Sequence, residues 1–350
     1  MKNKTKSKIK CVILGTLTII IVAIIYSGIQ KDNAVVAENE KVAKKINDQI
    51  DEKNKKDKEI FKTLPIVSCW GDSLTVGVGG DGITYPRELS LISGLKVYNY
   101  GVEDDSTYSI ASRQGAIPIY TKSFIMPANK EPVEISLYDQ YRQEYILTKP
   151  SAYGVNTCEI NGIKGTLSYD PNRQVMYFTR VSSGKELKIK EGTQLFTSAM
   201  LNKNKNKNEI LIIFTGNNDK ADTSIGSIVT TQKKMIDYAG TDKYIVIGFT
   251  GDGASYKNNV LAEEYGDNFL NIKKYLIEHG LKDAKIIPSK QDELDIANAS
   301  IPSSLISGGI NGNYAYYKIV AQQVLQKIID LGYLNNDQIE YLGIEKQTRD

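Results

Sequence analysis

The chain has 350 residues, an ordinary apolar fraction of 41 % and a formal net charge of +3. That length and composition exclude disorder as the main state and leave room for one large domain or two modest ones. The lysines cluster near the N-terminus and in "NKNKNKN" (202 to 208) and do not interleave with aromatics, so no nucleic-acid partner is expected.

Residues 1–10 form a basic tail, with lysines at 2, 4, 6, 8 and 10, ahead of the uncharged run "CVILGTLTIIIVAIIYSGI" at 11–29. At 1.5 Å per residue this run nearly spans a hydrocarbon core of about 30 Å, and the lysines favour a cytoplasmic N-terminus. A single-pass membrane anchor with an extracytoplasmic main domain is therefore expected. A cleaved signal peptide is the alternative, since "VVA" at 35–37 supplies small residues for cleavage near Ala37. Both readings export the protein. Residues 30–62 are charged, with Val42, Ile46 and Ile50 four apart, and read as a helical stalk.

From Pro65 onward, apolar runs alternate with helical patterns. The runs "PIVSCW", "KVYNYG" (96–101), "EILIIFTG" (209–216), "KYIVIGFT" (243–250) and "AKIIPS" (284–289) are predicted strands. Helices are predicted at 227–240, 261–280 and 313–333, the last with an apolar stripe of Ile319, Val320, Val324, Ile328 and Ile329. Strand, helix, strand in succession predicts an α/β fold, a three-layer parallel sheet with helices on both faces. The stretch 117–208 breaks this alternation. It is β-rich, with turn signals at Asn161-Gly162 and Asp170-Pro171, and reads as an inserted small β domain. The α/β domain would then comprise 63–116 and 209–333, with a tail at 334–350. Outside the apolar segment only Cys69 and Cys158 remain, which is neither a disulfide framework nor a metal spacing. Two buried free thiols are expected, and no cofactor or metal.

The chemistry gathers at strand ends. "CWGDSLTVGVGG" (69–80) puts Ser73 where a buried strand gives way to a glycine-rich turn. Gly101 ends the second predicted strand and "TGNND" (215–219) the third, so a hydroxyl, a glycine N–H and an amide converge on one rim. A serine attacking an ester needs such donors for the oxyanion it creates. In sequence order, "GDSL" at 71–74, the glycine of "NYG" and "GNND" at 216–219 resemble the first three motif blocks of the SGNH, or GDSL, hydrolases. That resemblance makes Ser73 the nucleophile and implies an oxyanion hole from the N–H groups of Ser73 and Gly101 with the Asn218 side chain.

The fourth block departs from the family. The family places an aspartate and, three residues on, a histidine before the last helix, whereas "SLISGGINGNYAYY" (304–317) has Gly308 and Asn311 there. Glycine has no side chain and an amide accepts no proton near neutral pH. The sole histidine, His279, is expected on a helix surface far from Ser73. Asp72, Asp104, Asp105, Asp219 and Asp252 could approach the rim, but an exposed carboxylate is a feeble base for a serine hydroxyl. Glu103, Asp104 and Asp105 beside Gly101 would also oppose an oxyanion. Three functional readings follow. One is a degenerate SGNH-like surface protein that binds a glycan in the retained cleft. Another is an active serine esterase removing acyl groups from envelope carbohydrate. In the third, the β insertion is the working part. Tyrosines at 314, 316 and 317 could stack on sugars, with helix packing the expected use of at least one.

Overall fold

The computed structural model describes residues 33–203, 208–251 and 253–345. The apolar segment 11–29 and Asp252 lie outside them; among the described residues no helix is long and apolar enough to cross a membrane. The chain divides into two units. In the smaller one, the 31-residue helix Asn33–Thr63 packs on the short helix Asn336–Leu342, where the Gln338 amide donates to the Thr63 carbonyl at 2.9 Å.

The larger unit, Pro65–Asn335, is built on a five-stranded sheet. Its strands are β1 (Ile66–Gly71), β2 (Lys96–Gly101), β3 (Glu209–Phe214), β4 (Tyr244–Ile247) and β5 (Phe269–Leu270). All four pairings are parallel, in the spatial order β2-β1-β3-β4-β5. Helices cover both faces, so β1, β3 and β4 are almost wholly buried and read as continuous apolar runs. The order reverses between β1 and β3, the switch point outside which open α/β sheets place their ligands.

Two expectations fail here. Residues 284–289 form no strand: Ile287 is 91 % exposed, and Pro288 has no N–H to give a ladder. The pattern at 261–280 is not one helix either. Gly266, at φ +51°, ends the helix Ala254–Tyr265, the two-residue β5 follows, and Asn271 caps a second helix, Ile272–Ala284.

Between Ile119 and Phe196 the chain builds an eight-stranded antiparallel sheet beside a two-stranded one, around its own core of Ile119, Leu137, Ile160, Leu167, Phe178 and Leu195. Cys69 and Cys158 are buried free thiols. Near the C-terminus, β6 (Ile306–Gly308) and β7 (Asn311–Gly312) form a hairpin that leads into the helix Tyr314–Asp330.

Candidate active site at the switch point

The Ser73 backbone is fixed by close approach on both sides. β1 ends at Gly71, and a Cβ there would stand 2.1 Å from Thr75 Oγ1 and 2.5 Å from the Phe214 carbonyl. Asp72 then caps the short helix Ser73–Val76 by accepting from the Leu74 N–H at 3.0 Å. Ser73 is 6 % exposed. Among the described residues its N–H donates to nothing, as expected for the first turn of a helix.

Gly101 lies beside this helix, where a Cβ would meet the Val76 nitrogen at 2.3 Å. Its N–H, however, donates to Asn99 Oδ1 at 2.9 Å, while Asn99 Nδ2 donates to the Thr75 carbonyl at 2.8 Å. The Gly101 N–H, expected to serve an oxyanion, is thus held in this structure by a side chain two residues upstream. Gly101 lets β2 approach the Ser73 helix.

Asn218 follows β3, and its Nδ2 reaches the Asp105 carbonyl at 3.5 Å, a long contact that a better acceptor would displace. Asp219 is used up in structure, accepting from the Thr107 N–H at 3.0 Å and hydroxyl at 2.6 Å. The charge of the acidic loop after Gly101 is partly offset by partners from a distance. Asp105 pairs with the 2 %-exposed Arg113 at 2.6 Å, and Lys149 of the β insertion holds Asp104 at 3.0 Å and Glu103 at 3.3 Å. Charge repulsion at an oxyanion is correspondingly weaker than the sequence implies.

The hairpin β6–β7 packs against the Ser73 helix. Added Cβ atoms at Gly79 would stand 2.6 Å from Ser307 Cβ and 2.9 Å from the Gly312 carbonyl, and the Tyr317 hydroxyl donates to the Val78 carbonyl at 2.7 Å. Gly308 and Asn311 face each other across the hairpin. Thus the structure brings Ser73, Gly101, Asn218 and the Gly308–Asn311 hairpin to one end of the sheet. His279 is not part of that group; it is exposed on the helix Ile272–Ala284, with its ring against Tyr275 and Glu278. Of the three tyrosines, 316 and 317 are fully buried and only Tyr314, 53 % exposed, reaches solvent.

Sequence reasoning missed the state of Asp72. It is fully buried, and desolvation pushes its pKa up to about 7 against the opposing Leu74 N–H. Around it the structure gathers buried polar atoms that lack partners, Asp72 Oδ2, Asn217 Nδ2, Thr250 Oγ1 and Tyr316 Oη, and on the hairpin Asn311 Oδ1 lacks one as well. Burying these unpaired is costly, so ordered water is the expected partner for several of them.

This is an α/β domain with a serine at the end of its first strand and at its switch point. No protein-family model and no curated protein matches the chain. Among solved structures it is similar to a protein from Desulfitobacterium hafniense DCB-2 named as a lipolytic protein of the G-D-S-L family. Identity is 14 %, the alignment covers 75 % of this chain and 98 % of that one, and the TM-score is 0.39.

Proposed function

We propose that residues 65–335 form an SGNH-hydrolase-like domain that keeps the nucleophile seat but has lost its general base, and that serves as a binding or scaffolding module for surface glycan. One observation carries the reading. The hairpin that meets the Ser73 helix offers only Gly308, without a side chain, and Asn311, whose Oδ1 is buried and unpartnered. Neither group accepts a proton in a transition state. With no base, Ser73 stays a protonated hydroxyl whatever donors surround it. The full chain should therefore resist labelling by a fluorophosphonate, and its hydrolysis of p-nitrophenyl acetate should match that of Ser73→Ala. Serine-dependent labelling would refute the degenerate reading.

A second reading, an active esterase acting on acylated envelope carbohydrate, would take as its base the buried Asp72 next to Ser73, whose pKa burial raises to about 7. Its mark would be Ser73 labelling that disappears in Asp72→Asn. Membrane placement through 11–29 belongs to both readings. External protease on intact cells should degrade the domain after Pro65 and spare the lysine-rich N-terminus, whereas a soluble form beginning at Glu38 would show a cleaved signal peptide.

A further inference from the structure

A concavity lies away from the Ser73 rim. It is a cleft of about 310 Å³ that begins at the amino ends of the strands, with Ile66, Lys96 and Glu209 in its lining. That volume sits at the low end of the ~300–1,000 Å³ range of small-ligand sites. Its origin is the edge position of β2. On one sheet face, β1 presents Ser68 and Trp70, and β2 presents Tyr98 and Tyr100 in register with them. Over the neighbouring β3 this face is covered by the helix Ile225–Ala239. Over β2 it meets Tyr153 of the β insertion and the helix Ser198–Lys203 instead, which leaves a gap.

The wall of the gap is aromatic. Tyr100 stacks on Trp70 with ring centroids 4.2 Å apart, and Tyr153, 57 % exposed, stands 5.3 Å from Tyr100 and 6.1 Å from Tyr98. Hydrogen-bonding groups of both kinds surround that wall. Gln114 is 5 % exposed; its Nε2 donates to the Met235 carbonyl at 3.3 Å, and its Oε1 accepts from nothing. Glu209 accepts from the Ser68 hydroxyl, and burial holds its carboxyl above the usual range. Lys96 lies over the Tyr98 ring at 4.8 Å and Lys203 over the Tyr238 ring at 3.6 Å.

We propose that this cleft is a carbohydrate-binding site, distinct from the Ser73 rim and independent of the reading given for it. A sugar ring offers an apolar C–H face to a tyrosine wall, and each of its hydroxyls both donates and accepts. It can therefore supply donors to Gln114 and Glu209 while accepting from the two lysines. Other small ligands fit worse. A quaternary ammonium suits the aromatic rings, but it has no proton for Gln114 and is repelled by Lys96 and Lys203. A phosphate suits the lysines, but its charge meets the Glu209 carboxyl and it has no apolar face for the tyrosine wall.

Trp70 is the chain's single tryptophan, so its fluorescence reports on the cleft without a label. The full chain is titrated with chitotetraose, maltotetraose and cellotetraose, and in parallel with choline and inorganic phosphate. A saturable change is expected with at least one oligosaccharide below about 10 mM, and none with choline or phosphate. Tyr153→Ala should weaken the sugar response about tenfold, and Glu209→Gln should weaken it as well. Tyr153 is more than half exposed, and thermal melts will verify that both variants are folded. The proposal is overturned by silence with all three sugars, by a response to choline or phosphate alone, or by a sugar response that both variants retain.

Discussion

Combining Gly308→Asp with Asn311→His is expected to create Ser73-dependent hydrolysis of p-nitrophenyl acetate at least about 100-fold above the rate of the unmodified chain, the lower end of what a positioned acid–base group contributes. The hairpin is suited to the change. Gly308 and Asn311 are opposed residues of an antiparallel pair, so the introduced carboxylate and imidazole share a face with Cβ atoms about 5 Å apart. A Cβ at Gly308 meets no atom within 4 Å, so the first replacement has room. Asn311→His alone should recover much less, because an imidazole without its carboxylate lacks the partner that fixes its tautomer and stabilises the imidazolium. The two changes should be strongly non-additive. The rates are compared with those of the same double variant carrying Ser73→Ala. A folded double variant no faster than that control would mean that position 311 does not face the Ser73 hydroxyl.

The acidic loop is a weaker alternative cause for such a failure, since Arg113 and Lys149 offset two of its three charges. Those pairings illustrate what was hidden in the sequence. Lys149 is some forty-five residues from the loop and reaches it only because the β insertion folds back over the sheet edge. The parallel sheet was legible where strands are buried on both faces, as "IVSCWG" and "EILIIF" are, because only continuous apolar runs survive there. "AKIIPS" imitated such a run, and Pro288 with the exposed Ile287 is what tells it apart. In "KVYNYG" the alternation of polar residues marked an edge strand with an open face, and that signal could have disclosed the aromatic cleft. The loss of the Gly101 N–H to Asn99 was local and yet unreadable, because a side chain bonding its own backbone two residues on competes with any ligand for that donor.

Asp72→Asn is expected to flatten the pH dependence of stability. In the folded chain burial raises the Asp72 pKa to about 7, while the unfolded carboxyl titrates near its ordinary value. The folded state therefore binds the proton more tightly than the unfolded state across about pH 4 to 7. Stability falls as pH rises through that window, opposite to the usual salt-bridged aspartate, and the loss is complete above the folded pKa. A shift of this size corresponds to a few kcal/mol by linkage, on the order of several degrees of melting temperature for a domain of this length. Burial also raises Asp105 and Glu209 above their ordinary values, so they add contributions of the same sign. Comparison with Asp72→Asn cancels them, because only the Asp72 contribution differs between the two proteins. Between pH 5 and pH 8 the unmodified chain should thus lose about 5 °C more than Asp72→Asn in thermal melts followed by circular dichroism. Parallel curves would show that the Asp72 carboxyl is ionised in the folded protein at pH 5, stabilised there by the Leu74 N–H, and that no proton is held beside Ser73.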